Sequence, residues 1–274
     1  MTYRNILLHI DARAQCPQRT DLALALAARL DAKVIGLATT GTLALPAGFG
    51  MAPSGELLAA AQDYLEQQAQ AASARFTEAA RRQAVACETR IVEGIEAQAV
   101  AQQSRAVDLI VVGQRDPGSD DSPAVDPGEV LMHAPRPVLV VPYIGAPAGL
   151  GGHALIAWNA SREACRAVSD ALPLLHLASQ VTVMTINPDA ETHGDVPGAD
   201  IAAYLAHHGI RVELQVERTP VRDVGEDLLS RAADLGAGLV VMGAYGHSRA
   251  REWVFGGATR TMLRAMTVPV LLSH

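Results

Sequence analysis

Aromatic side chains are scarce in this chain, at 4% of 274 residues, so its core must be packed from Ala, Leu and Val. Such a composition suits helices laid on parallel strands with both faces of the sheet covered. Cysteine is scarcer still: Cys16, Cys87 and Cys165 are odd in number, scattered, and form no C-x-x-C. That excludes a disulfide framework, and the three read as reduced, small apolar residues of a cytoplasmic protein. No apolar run approaches the roughly 18 residues that a membrane span needs. The opening MTYRNILLHID has no basic leader, apolar h-region or cleavage site, which predicts no signal peptide. Positive charge is also short: a formal net charge of -7 and a pI near 5.7 argue against a general binder of nucleic acid or anionic membrane.

Several catalytic and metal signatures are missing as well. There is no G-x-x-x-x-G-K-[ST], no G-x-G-x-x-G and no G-x-S-x-G elbow. The nine histidines make no H-x-x-x-H or Cys/His cluster of the kind that specifies zinc. His207 and His208 stand before Gly209, where a helix C-terminus favours His and a left-handed Gly cap. Adjacent residues on a helix point in different directions, which disfavours joint metal ligation. Ser161 and Glu163 read as a helix N-cap and a first-turn acid rather than as acid–base partners.

What is present is a duplication. NILLHIDARAQC near the start and HALIAWNASREAC from His153 share a plan: a short apolar run, a polar Asp or Asn, then a helix opening. With Asp11 set against Asn159, DLIVVGQRD falls near AGLVVMGAYG, and RPVLVVP falls near VPVLLSH. An insertion of some eighteen residues belongs to the first copy. YIGAPAGLGG, residues 143 to 152, has the Gly and Pro content of a linker, which places one domain at 1–145 and another at 152–274. In each copy five short apolar strands alternate with helical patterns, Leu22, Leu26 and Leu30 marking the first helix. The fold class predicted is α/β: two tandem, doubly wound, five-stranded parallel sheets of Rossmann-like type. In such sheets ligands sit beyond the carboxyl ends of the strands, where strand order reverses.

One such strand end opens VVMGAYGHSRAREWVFGGATRTML, from Val240 to Leu263. Between Gly243 and Met266 four arginines stand against one glutamate, in a chain that is acidic as a whole. Gly243 follows the strand directly, Gly246 comes three residues on, and Gly256-Gly257 follow after nine more. Glycines let the backbone approach a phosphate with its amides turned inward. A helix opening at Gly257 would present free N–H groups and a favourable dipole. Thr259 offers a hydroxyl, and His247, Ser248, Arg249 and Arg260 are neighbours for an anion. The plainer alternative is a strand-to-helix loop with glycines for tight turns and arginines for solubility, and spacing alone leaves both open.

G-x-x-G, nine residues, then G and a small residue before a closing P-V-x-x strand, resembles the nucleotide-binding signature of universal stress proteins. DLIVVG and the duplicated layout are similar to the tandem, two-repeat members of that family, and the likeness spans nearly the whole chain. The resemblance implies a fold like that of the adenine nucleotide alpha hydrolases, an intrachain pseudo-dimer joined by its closing strands, and an adenine nucleotide over the strand ends. The cofactor it implies is ATP, ADP or AMP, with Mg²⁺ as a companion. Carried over by position, Asn159 stands where the family often has Asp, beside Trp158, and Ile186 or its neighbours at the end of the second strand would flank the adenine. Gly243, Gly246 and Gly256 line the ribose and phosphates, with His247, Ser248, Arg249, Gly257, Ala258 and Thr259 completing the site. Gly257 departs from the pattern, because Ser or Thr usually follows the last motif glycine. Trp158 either packs at the strand end or borders the adenine ring, and Trp253 either covers the site or lies in an interface.

The first copy departs further. No G-x-x-G follows Gly113, and from there to Ala134 one arginine meets five acidic side chains. Asp120, Asp121 and Asp126 would repel a triphosphate, so this copy reads as closed to nucleotide although Asp11 remains. The expectation is a cytoplasmic, stress-responsive regulatory protein with one adenine-nucleotide site, an unidentified protein partner, and a homodimer as a further option. Slow hydrolysis or phosphoryl transfer through His247 is the alternative of another class, and a nucleotide-free interaction module is a third. The apolar connection Thr40 to Leu58 reads as a loop against the core or as a surface for a partner or lipid-like ligand.

Overall fold

A computed structural model describes residues 2–41, 54–118, 125–146, 150–188, 195–220, 223–246 and 257–274. The first half runs β1 (Asn5–His9), α1 (Cys16–Leu30), β2 (Lys33–Thr39), α2 (Gly55–Arg82), β3 (Cys87–Val92), α3 (Glu96–Gln103), β4 (Leu109–Gly113), α4 (Pro127–His133) and β5 (Val138–Val141). The second runs β6 (His153–Ala157), α5 (Arg162–Leu175), β7 (Gln180–Ile186), α6 (Ala199–His207), β8 (Glu213–Glu217), α7 (Val224–Asp234), β9 (Ala237–Gly243), α8 (Gly257–Ala265) and β10 (Val270–Ser273).

Apolar runs of four to seven residues make the strands because residues alternate between faces and both faces are covered. Ile6 and Leu8 enter one core cluster with Leu22, Leu26 and Phe76 from α1 and α2, and with Ala164 and Val168 from α5. Leu7 points the other way, into a cluster with Val100, Val130, Leu228 and Met262 from α3, α4, α7 and α8. The result is a three-layer sandwich, helices on both faces of one sheet. Each such fully buried aliphatic side chain contributes about 1.5–3 kcal/mol relative to exposure.

The strand order is β3-β2-β1-β4-β5-β10-β9-β6-β7-β8, a single ten-stranded sheet. All neighbours are parallel except β5 and β10, which pair antiparallel with Leu139 opposite Leu271. The two predicted five-stranded sheets are therefore one, joined by their closing strands as the tandem resemblance implied. Side chains reinforce the seam. Arg166 on α5 donates to the carbonyls of Pro135 and His274 at 2.9 and 3.1 Å. The Tyr3 hydroxyl donates to the carbonyl of Asp170, and Ser273 donates to the Asp170 carboxylate at 2.8 Å. At the outer end of the second half, α6 closes at His207 and Gly209 takes φ +75, so the paired histidines cap a helix as the sequence suggested.

Candidate functional site

Winding reverses twice, between β1 and β4 and between β6 and β9, and each reversal leaves a crevice beyond the strand ends. At the second, Ala157 of β6 lies between Met184 of β7 and Met242 of β9. The next residue, Trp158, donates its amide to the Met184 carbonyl at 2.8 Å. Its ring is buried in the core with Ile156 and Ala164, and its indole Nε1 finds no hydrogen-bond partner among the described residues. Asn159 is exposed; its Oδ1 accepts the Ser161 amide at 3.2 Å, closing a turn in which Ala160 has φ +55. Ser161 then caps α5 by accepting the Ala164 amide at 3.1 Å.

The first turn of α5 is pressed onto the end of β9. A Cβ on Gly243 would stand 2.6 Å from the Ala164 amide nitrogen and from the Glu163 carbonyl carbon, so packing alone demands glycine there. Three residues later a Cβ on Gly246 would stand 3.1 Å from Glu163 Oε2 and 3.7 Å from Ser161 Oγ. The two glycines therefore differ in role. The first lets a helix approach the strand, and the second presents bare backbone to a carboxylate and a hydroxyl.

Glu163 is only 3% exposed. Burial pushes its carboxyl upward, but Arg162, whose Nε donates to Oε1, together with the Ser161 hydroxyl and the helix backbone, holds it below the ordinary glutamate value. A buried, ionised carboxylate thus faces the glycine loop. Tyr245, between the glycines, has φ +53 and donates its amide to Thr259 Oγ1 at 3.3 Å. Its ring meets His274 edge-on, and its hydroxyl lies 2.7 Å from where a Cβ on Gly128 would be, at the start of α4 in the other copy. Burial and the nearby Asp126 carboxylate raise the Tyr245 phenol above its usual value.

On the far side of the loop, α8 begins at Gly257, which is exposed and has open space where a side chain would grow. Ala258 is half-buried, and Thr259 is buried with its oxygen accepting from the loop. Ile186 closes β7, half-buried against the second core cluster, and Asn187 after it exchanges hydrogen bonds with both the amide and the carbonyl of Thr219, each 2.9 Å. The structure thus brings Asn159, Gly243 and Gly246 to the ends of the paired strands β6 and β9, ties Thr259 to the loop through Tyr245, and directs Trp158 into the core. His247, Ser248, Arg249, Trp253 and Gly256 lie outside the described residues, as does most of the Thr40–Leu58 connection.

In the first copy the protein's own side chains narrow the crevice to a small polar cavity, lined by His9, Asp11, Gln15, Arg19 and Asp116 among others. Arg19, 4% exposed, lies over Gly113, its Nη1 2.3 Å from where a Cβ on that glycine would be. It donates to the His9 carbonyl at 3.0 Å and to Asp11 Oδ2 at 3.1 Å. Burial pushes the Asp11 carboxyl up, but Arg19 above all, then His9 and Arg13, bring it below the ordinary aspartate value. His9 is buried, which drives its pKa down to about 4. Gln15 reaches across the mouth to donate to Asp116 at 3.1 Å. The adjoining Gln114 sends its amide to the carbonyls of Leu263 and Arg264, at the C-terminal end of α8.

The sequence reading set Glu163 aside as a first-turn acid and passed over Tyr245, Arg19 and Gln114. The alignment of the copies held a signal for two positions: it sets Glu163 against Gln15 and Gly246 against Asp116, so the pair spanning one mouth by a hydrogen bond becomes a carboxylate facing a glycine in the other. Among the described residues no helix is long and apolar enough to cross a membrane, and all three cysteines are free.

Comparison with known proteins agrees with this architecture. A model of the universal stress protein family matches the chain twice, over residues 2–142 and 153–274. A universal stress protein from Archaeoglobus fulgidus superimposes with a TM-score of 0.76 at 15% identity, over 98% of this chain and 97% of its own. A protein of unknown function from Pseudomonas aeruginosa PAO1 gives a TM-score of 0.61 at 17% identity, over 99% of this chain and 92% of its own. A putative universal stress protein from Pseudomonas aeruginosa UCBPP-PA14 gives 0.59 at 17%, over 99% and 93%. No curated protein matches the chain.

Proposed function

The chain belongs to the universal stress protein family, and from that premise we propose that it is a stress-responsive regulatory protein that binds one adenine nucleotide, in its second copy. The observation that carries the proposal is the bare backbone at Gly246. Beyond the packing glycine at 243, Gly246 leaves bare backbone beside Glu163 and Ser161, and α8 opens at the exposed Gly257. Free amides and a helix dipole favour phosphate oxygens there. Asn159 and Ile186 stand at the neighbouring strand ends, one polar and one apolar, suited to a ribose and an adenine face. Thr259, read from sequence as a phosphate contact, accepts the Tyr245 amide and keeps its hydroxyl proton to donate to a phosphate.

In the first copy Arg19 over Gly113 and the Gln15–Asp116 bond narrow the corresponding space to a small cavity, which supports a count of one site per chain. The three free cysteines and the acidic balance fit a cytoplasmic location. Binding would engage the glycine loop beside α4 of the first copy, where Tyr245 rests, and so change the surface offered to a partner. Displacement of a fluorescent ATP analogue tests the reading: ATP should compete better than GTP or UTP, and Gly246→Glu should abolish binding by adding a second carboxylate beside Glu163. Equal binding by the variant would contradict it.

A further inference from the structure

We propose that Glu163 makes this site selective for nucleotide that arrives as a divalent-cation complex, the carboxylate gripping the cation that the phosphates carry. The inference rests on the nucleotide reading and adds the residue that sets the charge state of the ligand. Glu163 Oε2 and Ser161 Oγ converge on one point beside Gly246, 3.1 and 3.7 Å from where its side chain would begin. A phosphate passing over that glycine meets a buried anion at close range, and like charges there repel with little solvent screening. A hard divalent cation reverses the sign. Mg²⁺ is commonly held by one or two carboxylates together with substrate phosphates, and a neighbouring hydroxyl is a compatible ligand.

The duplicated chain sharpens the argument. In the first copy the helix supplies an amide, Gln15, and the loop a carboxylate, Asp116, and the two satisfy each other at 3.1 Å. In the second the helix supplies the carboxylate and the loop supplies only glycine. Glu163 receives Arg162 from its exposed side, at Oε1, while Oε2 is the oxygen turned to Gly246. Its depressed pKa suits a cation ligand better than a general base, which would need to take up a proton near neutral pH.

Calorimetric titration of the full chain with ATP, in Mg²⁺ and in EDTA, tests this for the wild type and for Glu163→Gln. Removing Mg²⁺ should weaken the wild type by about tenfold or more, the scale of one close charge pair, and should change E163Q less than about threefold. Metal-free ATP should also bind E163Q more tightly than wild type. Should E163Q fail to fold, Glu163→Asp replaces it, its retracted carboxylate giving an intermediate Mg²⁺ dependence. ATP binding that is equal with and without Mg²⁺, or a variant with the full wild-type dependence, overturns this inference and leaves the nucleotide reading standing. No ATP binding in either condition overturns both.

Discussion

At the scale of single residues, close approach decides more than chemistry does. Gly243 looks like a phosphate-loop glycine in the sequence, yet its hydrogen is required because α5 starts 2.6 Å from where a Cβ would be, against backbone that cannot move aside. Gly243→Ala should therefore destabilise the protein by about 1–3 kcal/mol, the cost of overpacking, even without ligand. Gly152→Ala, where nothing lies within 4 Å, should stay within about 0.5 kcal/mol. Urea denaturation of both variants checks the contrast. His9 gives a pH signature. Its pKa falls from 6.5 to about 4, chiefly through burial, with Arg19 and Arg13 lowering it and Asp11 opposing them. Above pH 6.5 the ring is neutral in folded and unfolded chains alike. As pH drops toward 4 only the unfolded chain takes up the proton, so stability falls across that window by about 3 kcal/mol. Denaturation midpoints between pH 4 and 7 should show this slope, and His9→Asn should flatten it.

At the scale of elements, helix starts organise the site. Asp223 caps α7 by accepting the Gly225 amide at 2.8 Å and also receives the Thr261 hydroxyl of α8 at 2.6 Å. One carboxylate thus ties the helix before β9 to the helix that follows the glycine loop. Asp223→Ala should cost about 1–2 kcal/mol, the scale of a lost N-cap. Combined with Thr261→Val it should cost less than the sum, because the two residues share a bond. Much at this scale was legible in the sequence. The Leu22, Leu26, Leu30 stripe, the Ser161 cap and the Gly209 stop all encode themselves within a few residues, and the helices fall where those signals stand. What was not legible is contact between elements far apart in the chain. Arg19 over Gly113, Glu163 facing Gly246 and Tyr245 against Gly128 each pair residues some 80 to 120 positions apart. Nothing local announces them: Glu163 in isolation is a first-turn acid, and Arg19 a solvated helix cation. The acidic stretch after Gly113 is legible as charge, but the buried arginine that lies over that glycine is not.

At the scale of the whole molecule, the β5–β10 pair makes two copies into one body. Alternating patterns predicted ten strands, and the antiparallel seam came only through the family likeness, since parallel and antiparallel edges read alike in VLVV and VLLS. With a continuous sheet and cross-links through Arg166, Tyr3 and Gln114, the chain should unfold in one transition, with far-ultraviolet circular dichroism and the fluorescence of Trp158 and Trp253 coincident. Separated transitions would mean that the halves are independent. Gln114 also links the crevice of the first copy to the C-terminal end of α8 in the second. On the proposed reading the duplication is a division of labour, with nucleotide taken up by the second copy alone.

That asymmetry is tested most directly by counting bound nucleotides on the intact chain with native mass spectrometry in ATP and Mg²⁺. One nucleotide per chain, lost in Gly246→Glu and unchanged in Arg19→Met, is the predicted result. Two nucleotides, or one that survives Gly246→Glu, would contradict it.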